Sequence, residues 1–209
     1  MRIGLLGDLH DNPDPAEEWI RKVEPDFCLQ MGDYWCYDHP WSVPVYWMFG
    51  NHERGDYIKR IISGKFDYPT NSHWLQGGIE EINGITVMAL PGWPKPGDEP
   101  GPAGYPPRVY DLCMEQVGQP VDIFISHGCG FAFNNWMYDR TRMKPVMRNF
   151  EEHNITTLLK KVRPTYAVSG HNHRFHIEEQ EGISLIRLGC THPEYTKGPF
   201  AHLIEINER

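Results

Sequence analysis

Apolar runs of four to seven residues recur along the chain, and five of them stop in the same manner. Residues 3–6 give way to Gly7-Asp8-Leu9-His10, residues 27–31 to Gly32-Asp33, and residues 43–49 to Gly50-Asn51-His52-Glu53. Residues 121–125 end in Ser126-His127-Gly128, and residues 165–168 in Ser169-Gly170-His171-Asn172-His173. Short apolar runs closed by glycine and polar residues predict strands. Helical spacing takes over in residues 13–23, where Trp19, Ile20 and Val23 share a face, and a second helix is predicted for 54–62.

Residues 79–82 and 85–90 flank Asn83-Gly84, a pair that suits a type I′ turn and predicts a β-hairpin. Residues 183–188 and 200–206 read as further strands. Alternating strand-helix units followed by hairpins imply an α/β chain with two stacked mixed sheets and helices outside. One domain over residues 1–209 is expected, a size at which a compact fold buries roughly 70% of its unfolded surface. Two segments break the pattern. Residues 91–107 hold seven Pro and four Gly, too many for a helix or a central strand, and read as a long rim loop. Residues 128–145 mix Phe131, Trp136 and Tyr138 with Arg140 and Arg142 directly after His127.

The polar clusters all follow strands. In open α/β sheets the carboxyl ends of strands are where ligands bind, so the clusters are expected on one edge. Asp8, His10, Asp33, Asn51, His127, His171 and His173 offer nitrogen and oxygen donors suited to zinc, manganese, iron or nickel. They are too many for one tetrahedral ion and suit two divalent ions sharing a carboxylate. In extended backbone, His171 and His173 would point to the same side, toward a common site.

Composition narrows the remaining classes. A formal charge of −8 and a pI near 5.7 give no global attraction to nucleic acid or to an anionic membrane, and no extended nucleic-acid surface is expected. The first residues make too short an apolar run for a signal peptide, and no segment approaches the ~20 apolar residues of a membrane span. A cytoplasmic protein is the expectation. Cys28, Cys36, Cys113, Cys129 and Cys190 are odd in number and lack C-x-x-C spacing, so they are read as reduced and structural.

Taken in order, D-x-H at Asp8 to His10, G-D at Gly32-Asp33, G-N-H-E at Gly50 to Glu53, S-H-G at Ser126 to Gly128 and G-H-x-H at Gly170 to His173 resemble the calcineurin-like metallophosphoesterase superfamily. The resemblance implies a four-layer fold of two stacked mixed sheets flanked by helices. It implies one metal on Asp8, His10, Asp33 and His173, and a second on Asp33, Asn51, His127 and His171, with Asp33 bridging. A hydroxide shared by the metals would attack phosphorus in line, and His52 would contact the leaving-group side. Two divalent ions outweigh Asp8, Asp33 and a hydroxide, so an acidic chain would carry a locally cationic site.

The implied activity is hydrolysis of a phosphomonoester or phosphodiester. His52, followed by Glu53, is expected to act as a proton source whose pKa a carboxylate partner raises. Phe131, Trp136, Tyr138, Arg140 and Arg142 suggest a loop that selects a nucleotide-like group. Departures from the family pattern narrow the substrate. The G-D-x-V-D-R-G motif of protein Ser/Thr phosphatases is replaced here by Gly32-Asp33-Tyr34-Trp35-Cys36-Tyr37-Asp38, without the phosphate-binding Arg. RNA lariat debranching enzymes carry Cys where this chain keeps Asp8, and Asp11 replaces the Gly common after the first His. The alternatives are a nucleotide-specific phosphodiesterase or nuclease, and a non-catalytic scaffold of the same fold, which intact motifs argue against.

Overall fold

The computed structural model describes residues 1–92, 109–129 and 145–207, with backbone alone over 145–153. In chain order its elements are β1 (Arg2–Leu6), α1 (Asp14–Val23), β2 (Phe27–Gln30), β3 (Val45–Trp47), α2 (Gly55–Ile62), β4 (Ser72–Trp74), β5 (Gly78–Ile82), β6 (Ile85–Leu90), α3 (Val109–Glu115), β7 (Ile123–Ser126), α4 (Pro145–Val162), β8 (Tyr166–Ser169), β9 (His176–Gln180), β10 (Ile183–Arg187) and β11 (Ala201–Glu205).

These strands form two mixed sheets, ordered β11-β1-β2-β3-β4 and β5-β6-β7-β8-β10-β9. The centre of each is parallel: β1 with β2, β2 with β3, β6 with β7 and β7 with β8. The carboxyl ends of those strands therefore carry all five motif loops. The predicted hairpin forms between β5 and β6, with Asn83 at φ 50° and Gly84 at φ 80°, the two left-handed residues a type I′ turn demands.

Alternation along the strands sorts residues into three cores. Ile3, Leu5, Phe27 and Leu29 of one sheet meet Val87, Ile123, Ile125, Val168 and Ile186 of the other. Their neighbours Leu6, Cys28, Val45 and Trp47 face outward and are covered by Ala16 and Ile20 of α1 and by Ile58 and Ile61 of α2. Met88, Phe124, Ala167 and Leu185 are covered in the same way by Val109 and Cys113 of α3 and by Ile155, Leu158 and Leu159 of α4. Central strands are thus buried on both faces, which is why they read as unbroken apolar runs. Each such side chain contributes roughly 1.5–3 kcal/mol by leaving water. The architecture is four-layered, with the sheets inside and the helices outside. All five cysteines are buried, and no helix among the described residues is long and apolar enough to cross a membrane.

The strands of 27–31 and 43–49 are shorter than their apolar runs, because Met31, Met48 and Phe49 stay buried while the backbone leaves the sheet toward the motif loops. Four elements had no counterpart in the apolar pattern: β4, β9, α3 and α4. β9 is a sheet edge whose residues alternate between half-buried and exposed, so no apolar run marks it.

Candidate metal centre

Four of the motif residues leave their strands through the left-handed region: His10 at φ 45°, Asp33 at φ 50°, His171 at φ 64° and His173 at φ 52°. Non-glycine residues there cost about 1–2 kcal/mol each, and such strain gathers where side chains must be aimed. The expectation of extended backbone at 171–173 is corrected by these angles. The two imidazoles do not share a side through the two-residue period of a strand; each is turned by its own backbone toward a different group of partners.

His173 joins the first group. Its Nε2 lies 2.9 Å from Asp8 Oδ2 and 3.1 Å from His10 Nε2, and His10 Nε2 lies 3.8 Å from Asp33 Oδ2. One donor atom from each of Asp8, His10, Asp33 and His173 falls within 4.8 Å of all the others. Ligand atoms about 2.1 Å from a common ion stand roughly 3.0–3.4 Å apart; the contacts of His173 to Asp8 and His10 are of about that size, and the one from His10 to Asp33 is wider. Burial opposes a charge on His173, yet its hydrogen bonds to Asp8 and Cys190 push its pKa up to about 10. Burial lowers the pKa of His10 despite the neighbouring carboxylates, leaving it a neutral donor.

His171 joins the second group. Its Nδ1 lies 3.0 Å from Asn51 Oδ1 and 3.2 Å from His127 Nε2, while His127 Nε2 is 2.7 Å from Asn51 Oδ1 and 3.5 Å from Asp33 Oδ1. His127 is fully buried and donates from Nδ1 to the Met31 carbonyl at 2.8 Å, which leaves the Nε2 lone pair facing Asn51 and Asp33. Burial, reinforced by His127, drives the His171 pKa down to about 3, so it too is neutral. Neutral imidazoles, an amide oxygen and a shared carboxylate suit a borderline divalent metal.

Asp33 stands between the groups, with Oδ2 toward His10 and Oδ1 toward His127. Burial raises its pKa, but the attraction of His127 when its ring is protonated and the backbone N–H of His52, which donates to Oδ1 at 2.8 Å, outweigh it and lower the pKa overall. Glycine lets the loops approach this closely. A Cβ on Gly50 would stand 2.3 Å from Asp33 Oδ1, and one on Gly170 would stand 2.1 Å from Asp8 Oδ1.

Two supporting residues escaped sequence reasoning. Gln30 lies inside an apolar run and is fully buried. Its amide donates to the carbonyls of Gly7 and Gly32 and accepts from the Gly32 N–H, which ties the Asp8 loop to the Asp33 loop. Glu53 was expected to partner His52, and the structure corrects this. Its carboxylate accepts from the N–H groups of Gly50 (2.8 Å) and Tyr34 (3.1 Å) and from the Tyr37 hydroxyl. It braces the turn that carries Asn51. The His52 ring is exposed, with its centroid 6.4 Å from that of His10. Phe131, Trp136, Tyr138, Arg140 and Arg142 lie outside the described residues.

A family model described as calcineurin-like phosphoesterase matches residues 1–175. Two curated relatives are lariat debranching enzymes. That of Entamoeba histolytica is 26% identical over 204 residues, covering 83% of this chain and 55% of the relative. That of Homo sapiens is 24% identical over 193 residues, covering 80% of this chain and 35% of the relative. The chain thus spans about half the length of the first and about a third of the second. Among solved structures, GAP50, described as the anchor in the inner membrane complex of Plasmodium, superposes with a TM-score of 0.56 at 13% identity over 90% of this chain and 71% of its own, a likeness of fold.

Proposed function

The chain belongs to the calcineurin-like phosphoesterase family, and on that premise we propose that it hydrolyses phosphoric esters using two divalent ions. Asp8, His10, Asp33 and His173 would hold one ion, and Asp33, Asn51, His127 and His171 would hold the other. The observation that carries this reading is the position of Asp33, whose two oxygens turn to different groups of donors, 3.8 Å from His10 and 3.5 Å from His127. Bound there, divalent ions supply Lewis acidity for the phosphate oxygens and lower the pKa of water toward neutrality.

The chain's own residues do the rest. Asp8 and Asp33 are buried carboxylates that set the positions of both ions. His127 is locked in one tautomer by Met31 and keeps its Nε2 available. His52 stays free of the donor groups, fixed through its backbone N–H to Asp33, and its exposed imidazole protonates or positions the departing oxygen of the ester. A phosphodiester of nucleotide type is the favoured substrate, since both curated relatives are debranching enzymes. Asp8 completes the first donor set.

The test combines metal analysis with a panel of mono- and diesters assayed after reconstitution with manganese, iron, zinc or nickel. Two ions per chain and chelator-sensitive turnover are expected. A chain that turns over esters fully with one ion would overturn the dinuclear reading. A fully loaded chain inert toward every ester would support a scaffold instead.

A further inference from the structure

Immediately after His52 the chain changes character. Residues 54–65 hold Arg54, Lys59, Arg60 and Lys65 against one carboxylate, Asp56, in a protein whose formal charge is −8. Two of these cations converge on one ring. The guanidinium carbon of Arg54 lies 4.9 Å from the Tyr57 ring centroid and that of Arg60 lies 5.8 Å away, with Arg60 also 5.3 Å from Phe66. Like charges gather in this way only where something holds them. The ring is itself fixed: Tyr37 stacks on it at 4.5 Å and 17°, and its hydroxyl donates to Asp38. Tyr37 in turn donates to Glu53 and accepts from the Arg54 N–H at 3.4 Å, so the platform is bolted to the turn that carries Asn51 and His52.

The cations are also available. Arg54 makes one exposed ion pair, 3.7 Å to Asp56, with half of its side chain open to solvent. Among the described residues no carboxylate pairs with Lys59, Arg60 or Lys65. A guanidinium laid over an aromatic ring keeps its N–H edge free, in the fork geometry that takes phosphate in a bidentate way. Two residues of backbone reach at most about 7 Å, so the Arg54 backbone lies within about one nucleotide step of the His52 backbone.

We infer that Arg54 and Arg60, mounted on Tyr57, form a second phosphate subsite that holds the phosphate flanking the scissile one on the leaving-group side of an oligonucleotide. The inference rests on the proposed ester hydrolysis and extends it. An ester with one phosphate gains nothing from the subsite; a strand with several is held in register. The subsite also answers how a chain of net negative charge holds a polyanion, by one local clamp rather than a basic face.

The experiment compares wild type with R54Q/R60Q on two esters, bis(p-nitrophenyl) phosphate and a short oligothymidylate, across a range of salt. The double variant is expected to raise KM for the oligonucleotide about tenfold. It should also flatten the slope of log KM against log salt by about one to two, while the single-phosphate ester keeps its KM. In parallel, anisotropy of a fluorescein-labelled oligothymidylate is measured with metal-free protein, and binding should weaken by a similar factor. Y57L, which removes the platform and keeps both charges, should reproduce part of the loss. Equal changes on both esters, or oligonucleotide binding unaltered in R54Q/R60Q, would overturn the subsite. If wild type hydrolyses neither ester, the hydrolase reading fails while the anisotropy still decides the clamp.

Discussion

His171 donates its backbone N–H to both carboxylate oxygens of Asp8, at 3.0 Å each, while its imidazole faces Asn51 and His127. A single residue thus belongs to the second donor group through its side chain and steadies the first through its backbone. The two groups share this residue as well as Asp33.

Gly170→Ala tests that coupling. The added methyl would stand 2.1 Å from Asp8 Oδ1, so the carboxylate or the 170–171 backbone must shift. Metal affinity is expected to fall by about 10–100-fold. Gly182→Ala, with nothing within 4 Å of the added atom but a φ of 79°, should cost only stability. Metal content by atomic emission after dialysis, beside thermal melts, separates the two.

Asp33→Asn should be the worst change among the proposed ligands, because the amide weakens both groups at once. Near-complete loss of both ions and at least about 10² in rate is expected. Asp8→Asn should lower the occupancy of one ion first. If Asp33→Asn kept two ions and full rate, Asp33 would not bridge.

His52→Ala keeps the backbone N–H that serves Asp33 and removes only the imidazole. Metal content should hold, while rates on alkyl esters drop on the order of 10²–10⁴ and rates on nitrophenyl esters drop far less. Rate plotted against leaving-group pKa should steepen in the variant. Parallel lines for variant and wild type would remove His52 from proton transfer.

Glu53 supplies a pH signature. Burial, with Asp33 adding repulsion, raises its pKa from 4.5 to about 7, although hydrogen bonds from Tyr37 and the Gly50 and Tyr34 N–H groups oppose the rise. Its folded-state pKa lies above its unfolded value, so the native chain holds a proton that the unfolded chain releases. The resulting stabilisation is complete below about pH 4.5 and is lost as pH rises through about 7, roughly 3 kcal/mol in all. In chelator-treated protein, the melting temperature of wild type minus that of Glu53→Gln should therefore fall between pH 4.5 and 7. A flat difference curve would show that the Glu53 carboxyl titrates normally.

The motif loops were legible because their chemistry is local. Glycine before a donor at a strand's end is visible in a line of text, and parallel strands bring such ends together. The hairpin at Asn83-Gly84 was legible for the same reason. Gln30 was not, since one amide inside an apolar run declares its purpose only when the carbonyls of Gly7 and Gly32 are seen on either side of it. Glu53 was assigned to its neighbour in sequence, whereas its partners Tyr34 and Tyr37 arrive from the loop after Asp33. The direction of His171 and His173 depended on left-handed backbone, to which the two-residue period of a strand gives no clue. β4, three residues long at a sheet edge, was too short to leave an apolar signature.

β11 lies antiparallel to β1, with Arg2 opposite Glu205 and Leu6 opposite Ala201. The Asp8 carbonyl accepts from the N–H of Thr191, and the Leu9 carbonyl from its hydroxyl. The loop that carries the first donors is therefore shaped by a residue 182 positions further along the chain. Closing so long a loop carries an entropic cost that grows only slowly with length, but it delays the contact. On the proposed reading, a chain that has placed only Asp8 and His10 still lacks Asp33 and His173, so capture of an ion would follow these long-range pairings, as a seal on the fold rather than its seed.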